Sequence, residues 1–238
     1  MDLASILSHA QQKVRRHGAA AGARTLALAA LRRSITLERV HIYALQRDGH
    51  ALARNEARGG HTRLATMEDL LPLTERADWQ LGALGRAELE ELASLGHRCV
   101  VNVVEGSIAG YCWRNPHQLV IPKVRAALAL RSGEAHVYKD FTHPDYRGRR
   151  LGTLRYLHWL QEEPNCTPLT DFAFDNDATL ARVRHLELDH VGTATYNSLG
   201  DRDRLRLSPA VLGRRVTRVP ASISQVDAAR LTAVHPAA

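Results

Sequence analysis

The sequence lacks any apolar run long enough to cross a bilayer. The longest, Leu26 to Leu31, is far short of the ~20 residues a spanning helix needs. A signal-peptide pattern is missing too, because the basic residues near the N-terminus follow the apolar ones instead of preceding them. Cysteine is scarce: Cys99, Cys112 and Cys166 are the only three, an odd count with no CxxC pair. That argues against a disulfide framework and a structural zinc site, and no metal is expected. No Gly-Lys-Ser/Thr follows the Gly-rich segment, which excludes a nucleotide P-loop. No interleaving of aromatic and basic residues favours single-stranded nucleic acid. A cytoplasmic protein is expected, with an inner membrane face as a further place for it to dock.

What is present supports a packed core. Hydrophobic residues make up 45% of the 238 and charged residues 24%, outside the range of disordered chains. The net charge is +7 and the pI about 9.8. Anionic lipid, an acidic carrier protein or a phosphorylated cosubstrate would each be attracted. Arginine greatly outnumbers lysine, so a proteome-wide bias explains the charge equally well.

Along the chain, residues 1–34 read as a basic helical segment. Six basic residues face Asp2 alone there, a charge of +5, and Gly18 and Gly22 divide the helical spacing. Residues 35–46 read as a strand and 47–60 as a loop. Thr66 with Asp69 three residues on reads as a capping box, and Arg86 to Leu95 as a second helix. Residues 99–104 and 107–113 read as a hairpin turning at Glu105-Gly106. Residues 114–133, holding Pro116 and Pro122, have no clear pattern. Residues 135–142 read as a strand, Leu151 to Glu163 as a helix stopped by Pro164, then strand, helix (Ala178 to Leu188) and further strands near 190–197 and 204–208. The expected division is 1–34, a domain over 35–220 and a loose tail over 221–238. The expected fold is α/β, a mixed central sheet flanked by helices.

The most informative segment is HPDYRGRRLGTLRYLHWLQ, residues 143–161. A strand ends, a Gly- and Arg-rich turn follows, and a helix starts at once. Such a turn aims backbone N–H groups at one point, and the helix N-terminus adds about half a positive charge. Tyr146, Arg147, Gly148, Arg149, Arg150, Leu151, Gly152 and Thr153 therefore form an anion cradle suited to a pyrophosphate.

This segment resembles the acyl-CoA loop of the GNAT superfamily of N-acetyltransferases: Arg or Gln, two residues, Gly, one residue, Gly or Ala. Arg147 takes the first position and Gly152 the last, while Arg150 stands where the first glycine belongs. The hairpin CVVNVVEGSIAGYCW, Asn176 ahead of a helix, and HLELDHVG extend the resemblance to roughly residues 60–200. It implies a GNAT fold and direct attack of an amine on an acetyl-CoA or acyl-CoA thioester. It further implies that a backbone N–H around Phe141 or Thr142 polarises the thioester, and that Asn176 touches the pantetheine arm.

For proton transfer, His136 and Tyr138 are the candidates. His136, Tyr138 and Asp140 alternate onto one face of their strand, and His136 lies eleven residues before Arg147, where some family members place a base. A packed structural histidine is the competing reading. The family's Tyr acid position is occupied by Val183. Trp79, Trp113 and Trp159 read as core. The acceptor, a small-molecule or peptidyl amine, is not legible. Two alternatives stay open: an acyl carrier protein as donor, and a non-catalytic acyl-CoA-sensing module.

Overall fold

The computed structural model of the chain describes residues 35–45, 60–79, 84–173, 186–199, 202–211 and 213–220, with Ala19, Ile223 and Asp227 singly. The expected N-terminal helices, most of the loop at 47–60, Asn176, Val183 and nearly all of the tail lie outside the described residues. So does most of the expected 178–188 helix, whose described end, Leu186–Glu187, is a turn rather than helix.

Eleven strands are described: β1 (Ile35–Ala44), β2 (His61–Leu64), β3 (Arg98–Val104), β4 (Ser107–Asn115), β5 (Gln118–Ile121), β6 (Ala126–Ala129), β7 (Glu134–Thr142), β8 (Thr167–Ala173), β9 (Asp189–Leu199), β10 (Arg202–Leu207) and β11 (Val216–Arg218). Eight of them form one mixed sheet in the order β10-β9-β1-β8-β7-β4-β3-β2. Among the described residues its only parallel pair is β7–β8, bridged by the crossover helix α3 (Leu151–Glu162).

The local signals work as expected. Thr66 caps α1 (Met67–Thr74): its hydroxyl accepts from the Asp69 N–H at 3.4 Å, and the Asp69 carboxylate accepts from the Thr66 N–H at 2.8 Å. Arg63 holds that carboxylate in a two-pronged contact of 2.5 and 2.8 Å. Helix α2 (Arg86–Ser94) follows. Glu105 and Gly106 turn the β3–β4 hairpin with φ of 51° and 78°, both on the side of the map that glycine tolerates best.

Long-range pairing adds what periodicity cannot. The first described strand, β1, does not sit at an edge. It lies between β8 and β9, antiparallel to both. The patternless 114–133 stretch forms the β5–β6 hairpin, which β11 joins in a separate three-stranded sheet. Leu119, Ile121 and Leu128 of this small sheet, with Val124 of the turn between β5 and β6, pack on Val40, Ile42, Ala194 and Tyr196 of β1 and β9.

The large sheet is covered on both faces. Leu70, Leu73, Leu89 and Leu92 of α1 and α2 pack on Cys99, Val101, Tyr111, Trp113, Tyr138 and Phe141. The opposite face receives Tyr156, Leu157, Trp159 and Leu160 of α3 against Val100, Cys112 and Val137. All three tryptophans are buried, as expected of core residues. No helix among the described residues is long and apolar enough to cross a membrane.

Candidate active site

The site follows from one discontinuity. β7 and β8 pair over three residues only, Glu134 to His136 against Thr167 to Leu169, although β7 runs on to Thr142 and β8 to Ala173. Beyond His136 the two strands part, leaving a β7 edge with no ladder partner on that side among the described residues. Backbone direction alternates along a strand. The His143 N–H bonds across to the Ala109 carbonyl of β4 at 3.0 Å, so the N–H and C=O of Thr142 point to the opposite, parted edge. Arg147 Nε–H donates to that Thr142 carbonyl at 3.2 Å. The arginine that opens the loop is thereby tied to the edge of the gap.

A bulge sits just before this point. Tyr111 pairs with Phe141 but Trp113 with Tyr138, so Lys139 and Asp140 together oppose Cys112. Lys139 takes φ of 48°, an uncommon conformation for a residue with a Cβ. The bulge corrects the expectation that His136, Tyr138 and Asp140 share a face. His136 and Tyr138 lie on the α1/α2 side, whereas the extra residue turns Asp140 toward α3.

There it meets Arg155, a fully buried arginine. Arg155 Nε and Nη2 donate to Asp140 Oδ1 at 2.8 and 2.5 Å, Nη2 also donates to Thr142 Oγ1 at 2.9 Å, and Nη1 donates to Asn102 Oδ1. Gly110 leaves the room for it: a Cβ there would strike Arg155 Nη1 and lie 2.6 Å from the Phe141 carbonyl oxygen. Burial lowers the pKa of Arg155, but a guanidinium starts so high that it stays charged at neutral pH.

On the other face, His136 Nε2–H donates to Asp171 Oδ1 of β8 at 2.8 Å across the point where the strands part. A carboxylate only accepts, so in the neutral ring the lone pair is on Nδ1. That atom is buried and has no hydrogen-bond partner among the described residues. The His136 ring stacks on Tyr138 at 5.5 Å. The Tyr138 hydroxyl is 2.7 Å from His97 Nδ1, and burial raises its pKa well above the usual value.

The loop completes the site. The first α-helical hydrogen bond of α3 runs from Leu154 N–H to Arg150 O, so the N–H groups of Leu151, Gly152 and Thr153 have no acceptor within the helix. Gly148 takes φ of 80°. Arg150 caps the helix with φ of 61°, in the left-handed region where glycine would be unstrained. The pattern's glycine position thus keeps glycine's backbone geometry although arginine occupies it. Arg147 and Arg150 are exposed, and Arg149 lies 5.6 Å over the Tyr146 ring. Donors and positive charge converge, which fits a phosphate-bearing ligand. Among the described residues no group of His, Cys, Asp and Glu is arranged to hold a metal.

No protein-family model matches the chain, and no curated protein matches it significantly. Solved structures do. A putative GNAT-family acetyltransferase from Novosphingobium aromaticivorans matches at 12% identity over 69% of this chain and 66% of its own, with TM-score 0.45. A GCN5-related N-acetyltransferase from Kribbella flavida matches at 16% over 74% and 64%, TM-score 0.46. AAC(6')-Iy, solved with the bisubstrate analogue CoA-S-monomethyl-acetylneamine, matches at 13% over 56% and 92%, TM-score 0.42. The chain is similar to GNAT acetyltransferases. It spans just under two thirds of the length of the first two of these structures.

Of the sequence-derived site residues, Phe141, Thr142 and Arg147 to Thr153 come together at the open end of the β7–β8 gap, with His136 and Tyr138 at its closed end. Arg155, Asp171, Asn102 and His97 were not anticipated. Arg155 left a signal: with Leu151 and Trp159 it occupies the i, i+4, i+8 stripe that α3 buries, so a charge stands at a core position. Asp171 and His97 left none, because their partners are 35 and 41 residues away in sequence.

Proposed function

We propose that this chain is an N-acyltransferase that moves an acetyl or longer acyl group from a CoA thioester to an amine. The observation that carries the reading is the parting of β7 from β8 with the Arg147–Thr153 cradle at the open end. The free first-turn N–H groups of α3, with Arg147 and Arg150, bind the pyrophosphate. The Thr142 N–H, on the parted edge, donates to the thioester carbonyl and stabilises the oxyanion that forms as the amine nitrogen attacks its carbon. The C–S bond then breaks, and the leaving thiolate takes up the proton that the attacking nitrogen releases as the amide forms. We assign deprotonation of the ammonium before attack to His136, whose tautomer Asp171 holds; Thr142 lies six residues further along β7, so the proton reaches Nδ1 along the gap rather than by direct contact with the attacking amine.

Isothermal titration with CoA tests the cradle. Gly152→Glu places a carboxylate among the phosphate-binding N–H groups, and CoA binding should be abolished while the melting temperature holds. An affinity equal to wild type would remove the loop assignment. A second reading, sensing of acyl-CoA without catalysis, draws on Arg150 in the glycine position. It predicts CoA binding with no release of free thiol from acetyl-CoA in the presence of amines. An acidic acyl carrier protein as donor is the remaining version, and competition between carrier protein and CoA in the same titration separates it.

A further inference from the structure

Arg155 has a role in this chemistry that its burial conceals. Burying an ion pair is seldom a net gain in stability, since desolvation offsets much of the attraction, and well-packed apolar residues often serve as well or better. This pair nonetheless lies under the one irregular stretch of β7. Its guanidinium grips the residues on either side of Phe141, through Asp140 Oδ1 and Thr142 Oγ1, and reaches β3 through Asn102. Residue 110 of β4 has no side chain to obstruct it. Arg155 belongs to the helix whose first turn forms the anion cradle, one turn below Leu151. One side chain therefore ties the donor-binding helix to the segment carrying the Thr142 N–H, immediately after a bulge whose Lys139 sits at an unfavourable φ.

Resting on the acyltransferase reading above, we infer that Arg155 is a positioning residue: with Asp140 it fixes the bulge and aims the Thr142 N–H at the thioester carbonyl. A misaimed oxyanion donor weakens stabilisation of the developing charge without touching the phosphates. Its loss should appear in turnover and in carbonyl polarisation, not in donor affinity.

The test uses the full chain and acetyl-CoA labelled with ¹³C at the carbonyl. The informative variant is the double substitution Asp140→Leu with Arg155→Met, which replaces the pair by apolar side chains and leaves no lone buried charge. Three readouts are taken: CoA affinity by titration, the infrared carbonyl stretch of the bound thioester, and thiol release from acetyl-CoA with a simple amine nucleophile. In the wild type the bound carbonyl should absorb at lower frequency than in water. In the double variant CoA affinity should stay within about threefold, the carbonyl should return toward its frequency in water, and thiol release should fall about 10²-fold, the scale of one lost oxyanion donor. If the double variant does not fold, Arg155→Lys takes its place. It keeps the charge beside Asp140 but not the fork that spans Asp140, Thr142 and Asn102, and a smaller loss in the same two readouts is expected. A variant that polarises and turns over like wild type overturns the inference and leaves the donor site standing. A wild type that does not bind acetyl-CoA removes the donor site itself, and the inference with it.

Discussion

Lowering the pH from 7 to 5 should cost this fold about 2 kcal/mol through His97. The side chain is 3% exposed, packed beneath α2 with Nδ1 on the Tyr138 hydroxyl. Burial, then the neighbouring charges of His117, His136 and Arg114, push its pKa from 6.5 down to about 4. The unfolded chain takes up this proton near pH 6.5 and the folded chain only near 4. Between those values the unfolded state binds more protons, so stability is full above pH 6.5 and drains away as pH falls toward 4. At about 1.4 kcal/mol per pK unit the whole effect is about 3 kcal/mol, of which about 2 kcal/mol is gone by pH 5. The assay is urea unfolding followed by fluorescence of the buried tryptophans, at pH 7 and pH 5, for wild type and His97→Gln. Glutamine retains a hydrogen bond to Tyr138 and does not titrate. Carboxylates held low by arginines, such as Asp69 by Arg63, also lose stability in acid, but equally in both proteins. The difference between the two pH slopes isolates His97. Parallel slopes would show that this histidine does not remain neutral in the fold.

Two further outcomes are expected. Arg150→Gly relieves a left-handed conformation in a residue with a Cβ and should stabilise the fold by about 1 kcal/mol in the same urea assay. Weaker CoA binding by this variant would mean that the guanidinium contacts phosphate, tighter binding that it obstructs, and an unchanged midpoint would contradict the strain argument. His136→Ala should lower turnover at pH 7 by about 10²-fold, with the deficit shrinking as pH rises and the amine deprotonates unaided. Wild-type turnover at neutral pH would reduce His136 to a packing residue.

Whatever depends on neighbours a few residues apart was legible along the chain. Thr66 and Asp69 satisfy each other's backbone within one turn, Glu105-Gly106 closes a two-residue hairpin, and the Arg- and Gly-rich turn before Leu151 opens a helix whose first N–H groups must be unpaired. These are local geometries, written in side chains that touch in the chain itself. That β1 enters the middle of the sheet emerges only on folding, because strand order depends on pairings more than a hundred residues apart that alternation does not encode. Folding also decides which face Asp140 occupies. One extra residue opposite Cys112 inverts the parity of everything after it, and Lys139, which bears the positive φ, announces no such break. Arg155 completes the point. Its place on the buried stripe of α3 is local and legible, but a buried charge is tolerable only where a partner meets it, and that partner is supplied by the bulge.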